Sequence, residues 1–190
     1  GSEEPVPDFA GSNIHNEMAE RTPAIACGGI GLFQRLVSKI GLVKVINERL
    51  HLLKRHLPYH ESDHVLNIAY NSLLGGQRLE DIDTRRNDEG FLDAIGAERI
   101  PDETTAGDFT RRFTETSITQ LMECINVARR RVWQRQDKGF LDLAMIDVDG
   151  TVAGTLGECK EGMDISYKGI WGYAPLIVSL ANTKEVLYLV

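Results

Sequence analysis

The 190 residues are 42% hydrophobic and 26% charged, enough apolar material for a sizeable core, which excludes a chain disordered throughout. Acidic residues outnumber basic ones 28 to 21, and the formal charge of −7 excludes a uniformly basic nucleic-acid binder or a polybasic membrane-surface protein. Cys27, Cys124 and Cys159 stand far apart in no metal-ligand spacing, and no apolar run approaches the roughly 18 residues of a membrane span; the expectation is a soluble, cytoplasmic protein with no membrane partner.

Residues 1–24 mix Pro5, Pro7, Gly11 and Pro23 with acidic and polar residues and read as an N-terminal arm. Residues 25–138 read as a helical region. Ile30, Phe33, Leu36, Val37 and Ile40 recur at helical spacing, Gly41 interrupts, and Leu42, Val45, Ile46 and Leu50 resume it, predicting two helices that end near His56 ahead of Pro58. A third helix is predicted over Ser62–Leu74, capped by Ser62 or Asp63, burying Val65, Leu66, Ala69 and Leu73, and stopped by Gly75 and Gly76. Short helical pieces follow around Leu79–Arg85 and Glu89–Ile95. Another helix, capped by Asp102 or Thr104, runs through Phe113, and a longer one from Ser117 buries Ile118, Leu121, Met122, Ile125, Ala128 and Val132.

The character changes over residues 139–190. Leu141–Asp149 is a short apolar run ending in carboxylates, the pattern of a buried strand that delivers acidic side chains at its C-terminal edge. Six glycines from Gly150 to Gly172 read as a mobile or functional loop. The apolar runs Tyr173–Ala181 and Val186–Val190, joined by Asn182–Glu185, predict a β-hairpin.

The charge is unevenly spread. Residues 35–56 carry +5 and residues 99–138 carry +2, against −6 over 57–98. Phosphate binding depends on local clustering of Lys and Arg, so the two basic blocks keep DNA contact open. Their alternative reading is the solvated faces of amphipathic helices. The cap and first turn of the Thr104–Phe113 helix offer Thr104, Thr105 and free backbone N–H groups to phosphates, with Arg111 and Arg112 one to two turns later. Asp102, Glu103 and Asp108 oppose that approach, and Phe109 and Phe113 assign one face to the core. Lys168, set among Tyr167, Trp171 and Tyr173, suits unpaired DNA ends, with a packed aromatic cluster as the alternative. His60 and His64 are spaced i,i+4, but no third zinc ligand accompanies them.

Asp147 and Asp149 lie two positions apart, so on a strand both side chains point to one side. Paired carboxylates at a strand end suit Mg²⁺, which takes hard oxygen ligands and supports phosphoryl transfer. The alternative is that they end a strand and begin a Gly150–Thr151 turn. The string Ile146-Asp147-Val148-Asp149-Gly150-Thr151-Val152 resembles the first motif of the haloacid-dehalogenase-like phosphatases, over about seven residues. The flanks resemble the bacterial insertion-sequence transposases, which carry a DDE catalytic triad on an RNase H-like fold. That resemblance rests on Asp149-Gly150-Thr151, the stretch Tyr167–Ala181 and the upstream Thr104–Phe113, and spans most of the chain from about Gly28.

The transposase resemblance implies an α+β chain: a helical DNA-binding region over 25–138, then the first strands of an RNase H-like catalytic domain over 139–190. It implies that Asp149 is the first catalytic carboxylate and a metal ligand, with Asp147 as a second catalytic candidate. It further implies Mg²⁺ as cofactor, terminal inverted-repeat DNA as partner, and a homodimer in the complete enzyme. Val190 lies only 41 residues past Asp149, so the resemblance implies a truncated portion that lacks the later Asp and Glu and is inactive alone. A non-catalytic DNA-binding regulator and a truncated phosphatase are the alternative functions. The phosphatase motif predicts a helix soon after its first strand; the transposase resemblance predicts consecutive antiparallel strands.

Overall fold

The computed structural model describes residues 27–56, 58–155 and 162–190. The arm expected over 1–24, together with Gly157 and Cys159, lies outside them. Among the described residues, seven α-helices precede two three-stranded antiparallel sheets, so the chain is α+β.

Helices α1 (Ile30–Lys39) and α2 (Leu42–Arg49) meet at Gly41, whose φ of 70° is left-handed and costly for any residue with a Cβ. The break is held from outside. Arg131 donates to the carbonyl oxygens of Ile40 at 2.6 Å and Gly41 at 3.3 Å, satisfying acceptors that the end of α1 leaves open. α2 stops at Arg49 rather than near His56, because Leu50 turns to an extended conformation and is wholly buried. The following segment is then tied by Leu52 and Leu53, whose N–H groups both donate to Glu61 Oε1 at 3.0 Å.

Helix α3 (Glu61–Leu73) begins one residue before the expected range, with His60 as N-cap, and the His60 N–H donates to Asp63 Oδ2 at 2.8 Å. Its buried face differs from the apolar pattern. Glu61, Ser62, His64, Asn67, Tyr70 and Asn71 are buried, Val65 and Leu66 are half-buried, Ala69 is exposed, and Leu73 is 49% exposed. Specific partners make polar burial tolerable. Ser62 N–H donates to Asn47, Asn67 to the Pro101 carbonyl, Asn71 to the Arg78 carbonyl, and the Tyr70 hydroxyl to Gln34 at 2.5 Å. Burial pushes the Tyr70 phenol up to about 12, so it stays a neutral donor.

A 3₁₀ turn (Leu79–Asp81), α4 (Ile82–Arg86) and α5 (Glu89–Ile95) occupy the two short helical segments expected there. Asp102 caps α6 (Glu103–Thr110) by accepting the Thr105 N–H at 2.7 Å. α7 (Glu115–Trp133) starts two residues earlier than expected, behind Thr114. Its packed face also shifts. Ser117, Cys124 and Ala128 are buried, Cys124 against Val45 and Ile46 of α2, leaving Ile118 and Ile125 exposed. Two apolar clusters result: Ile30, Tyr70, Ile82, Phe91, Ile100 and Ala106 form one, and Val45, Ile46, Leu50, Phe109 and Cys124 the other. α3 contributes to both, through Leu66 and Ile68 on one side and Val65 on the other.

The first sheet has the order β1 (Ile146–Gly150), β5 (Leu176–Leu180), β6 (Glu185–Leu189), all antiparallel, and β5 and β6 form the expected hairpin. β1 is shorter than the expected Leu141–Asp149 strand and is exposed throughout, which corrects the reading of a buried strand. It is an edge. Thr151 N–H and Met145 carbonyl bond toward β5, so the backbone groups of Ile146, Val148 and Gly150 point outward, where no described strand pairs with them. The glycine-rich segment builds a second small sheet, β2 (Ala153–Gly154), β4 (Trp171–Tyr173), β3 (Asp164–Ile165). Gly172 is required there: a Cβ would overlap the Ala153 carbonyl on the neighbouring strand.

α7 lines the outer edge of β6. Asn126 donates to the Leu187 carbonyl, Arg129 to the Val186 carbonyl at 2.6 Å, and Leu189 N–H meets Met122 Sδ. Glu185 anchors the junction, pairing with Arg129 at 3.2 Å and accepting Trp133 Nε1–H at 3.0 Å. Arg129→Ala is expected to cost about 1–3 kcal/mol, because it strips a charged donor from a sheltered carboxylate and a strand edge. Hydrogen exchange should show the loss as faster exchange in β5 and β6 with α1 and α5 unchanged; uniform acceleration would contradict it.

Candidate functional site

Asp147 and Asp149 sit on β1 opposite Ser179 and Ile177 of β5, so the two carboxylates share one face of the sheet. Both are exposed, and neither has a side-chain hydrogen bond or ion pair among the described residues. Two unengaged carboxylates on consecutive same-face positions fit the oxygen donor set that Mg²⁺ accepts alongside water and phosphate oxygens. Among the described residues no group of three or more His, Cys, Asp or Glu side chains converges. The pair therefore stands alone, and Asp164, on β3, belongs to the other sheet.

The residues read as DNA-contacting fall into three places. Thr104 and Thr105 occupy the first turn of α6, Arg111 and Arg112 follow its C-terminal end, and Lys168 lies on the Ser166–Gly169 turn between β3 and β4. Arg111 is paired with Asp108 one turn earlier. Arg112 instead reaches back across α6, with NH1 3.4 Å from the Leu52 carbonyl, and lines a cleft together with Thr105. Lys168 Nζ stands 5.4 Å from the Tyr167 ring centroid, and Tyr167 is 89% exposed rather than packed into an aromatic cluster.

The Arg129-Arg130-Arg131 run is largely committed to the fold. Arg129 holds Glu185 and β6, Arg131 holds the α1–α2 break, and Arg130 alone is left on the surface without such a tie. Geometry adds what sequence spacing missed. The cleft that receives Thr105 and Arg112 is also lined by Arg55, Tyr59 and His64, from residues 41 to 57 positions upstream. Arg55 was legible only as one charge in the +5 block. His64 was legible only as half of an incomplete zinc pair.

His64 is buried, its ring stacked on Phe109 at 4.4 Å and 10° and set edge-on to Tyr59 at 5.8 Å. Burial draws its pKa below the usual imidazole value, and Arg112 adds to the depression, while Asp63 and Glu61 pull the other way. The ring is accordingly neutral around pH 7. Nδ1 has no hydrogen-bond partner among the described residues.

Among the described residues no helix is long and apolar enough to cross a membrane. No known protein family, curated protein or solved structure matches the chain.

Proposed function

We propose that this chain carries the helical DNA-binding region and the first catalytic strand of a DDE-type transposase with an RNase H-like domain. The observation that carries the reading is the unengaged Asp147–Asp149 pair on the β1–β5–β6 antiparallel meander, placed directly after a helical region that exposes arginines. In this reading Asp149 would hold Mg²⁺, which would support attack on a DNA phosphodiester, and Asp147 would offer it a second carboxylate. Thr104, Thr105, Arg111, Arg112 and Lys168 are candidate contacts to the backbone of inverted-repeat DNA. Pairing of two DNA ends by a homodimer belongs to the same proposal for the complete enzyme.

The antiparallel pairing of β1 favours this reading over the phosphatase-like one. A phosphatase first motif needs a helix soon after its strand, whereas the next described elements after β1 are β2 and β3. The test is binding of the full chain to labelled duplex DNA across a salt series, with fluorescence anisotropy as readout. Affinity that falls steeply with salt is expected; absence of binding at about 50 mM salt would overturn the reading.

The metal arm uses Mn²⁺ as a paramagnetic probe. It is expected to broaden amide signals of residues 146–150 selectively, and Asp149→Asn is expected to weaken that binding about tenfold, the loss of one charged oxygen ligand. Because Asp149 is exposed and unpaired, the same substitution should leave stability within about 0.5 kcal/mol of the parent. Equal broadening in the variant would remove Asp149 from the metal site.

A further inference from the structure

The cleft between the segment after α2, α3 and α6 has a volume of about 190 Å³, room for several waters at about 30 Å³ each, and so for one phosphate group with its hydration. Arg55 and Arg112 enter it from opposite ends of the chain segment that surrounds it, and both are exposed. Thr105 lines one wall. His64 lines another, only 3% exposed and held rigidly by its stack on Phe109.

Two features separate this cleft from an ordinary basic surface. The first is His64, whose buried Nδ1 has no hydrogen-bond partner among the described residues, so no described group at that nitrogen fixes the tautomer. The second is the fate of the acidic residue on the rim. Asp108 also lines the cleft, but its carboxylate is engaged by Arg111, and Arg55 and Arg112 have no ion pair among the described residues. Arg112 makes only a long contact to the Leu52 carbonyl, so little is lost when it turns to an anion.

We infer that this cleft is a phosphate site in which Arg55 and Arg112 grip a tetrahedral oxyanion and His64 supplies a neutral ring N–H from the floor. Guanidinium groups suit this work because their planar forks present paired donors to phosphate oxygens. The ligand's source is a DNA backbone phosphate, an identification that rests on the transposase reading above; a free phosphate shares the chemistry. Lys54, beside Arg55 in sequence, is exposed and extends the basic surface along which a DNA strand would continue.

The experiment uses the full chain and the variants Arg55→Gln and Arg112→Gln, with Lys44→Gln as a charge-matched control, since Lys44 pairs with Glu48 on α2. Circular dichroism checks folding; both arginines are exposed, so the fold should survive. Two ligands are titrated: inorganic phosphate, followed by ³¹P line broadening, and a labelled duplex of about 20 base pairs at several salt concentrations. Each arginine variant is expected to weaken duplex binding about three- to tenfold and to lower the salt slope by about one, while the control stays within about twofold. Phosphate broadening should fall in the same two variants.

Duplex binding unchanged in both arginine variants would overturn the cleft while leaving the DNA reading intact. Phosphate binding that depends on both arginines, in a protein that ignores the duplex, would sustain the cleft as a free-phosphate site and overturn the transposase reading. Failure of both ligands would overturn both.

Discussion

Glu61→Ala is expected to lower the free energy of unfolding by about 3–5 kcal/mol, the loss that follows when a buried carboxylate accepting two backbone N–H groups is removed. Glu61 has no solvent exposure, although it is the first residue of α3. Its Oε1 accepts the Leu52 and Leu53 N–H groups, and its Oε2 lies 3.2 Å from His56 Nδ1 in a contact not aligned as a hydrogen bond. Truncation orphans both backbone donors, at about 1–3 kcal/mol each. Glu61→Gln keeps a carbonyl acceptor for them and loses only the charge, so a smaller loss of about 1–2 kcal/mol is expected.

The same carboxylate sets a pH dependence. Burial alone would raise its pKa, but the N–H groups of Leu53, Glu61 itself and Leu52, with the His56 charge, outweigh it and hold the group below its ordinary value of 4.5. The folded state therefore favours the ionised form. Its stabilisation is complete above the unfolded value and disappears as pH falls through the lower folded one. Denaturant midpoints measured from pH 7 to pH 3 should decline in the parent on that acid limb and decline less in Glu61→Gln. Parallel curves, or an alanine variant within about 1 kcal/mol of the parent, would refute the assignment.

Helix positions were legible because apolar spacing and punctuation agree locally. Gly41, Asp102 and the Gly75–Gly76 pair mark real boundaries, and their signals are local: a left-handed φ at Gly41 and Gly75, and a side-chain cap from Asp102 to the Thr105 N–H three residues on. The orientation of helices was much less legible. On α3 the spacing selected Val65, Leu66, Ala69 and Leu73, but the helix lies between two clusters and buries Asn67, Tyr70 and Asn71, whose acceptors are on residues 34, 78 and 101. Two of those partners, Gln34 and Pro101, lie more than 30 positions away, so no local window reports them. β1 failed for a related reason: an apolar run signals a strand, but burial depends on neighbours, and β1 has one described neighbour on one side.

The candidate site shows the same division. That Asp147 and Asp149 share a side follows from the two-residue period of a strand and needed no structure. What they lack, a third converging ligand, is a property of the surrounding surface. The phosphate cleft was hidden because Arg55 and Arg112 are separated by 57 positions and meet only through the packing of α3 against α6. Conversely, Arg129 and Arg131 count toward the +2 of residues 99–138 in sequence, yet their side chains hold β6 and the α1–α2 break.

Phe109→Ala is expected to cost about 3–5 kcal/mol, the range for emptying an aromatic site in a packed core. Phe109 is 2% exposed, packs with Ile46, Leu50 and Cys124, and meets Phe113 edge-on at 5.4 Å. Phe91→Ala removes an equally buried ring from the other cluster and should cost a similar amount. The two variants separate on function. Phe109 is the surface against which His64 is stacked, so its removal frees the imidazole and spoils the floor of the phosphate cleft. Phe91 lies outside that cleft. At a denaturant concentration where both variants remain folded, Phe109→Ala should bind duplex DNA about three- to tenfold more weakly than Phe91→Ala, by analogy with losing one phosphate contact. Equal affinities at matched stability would show that the stack serves the core alone.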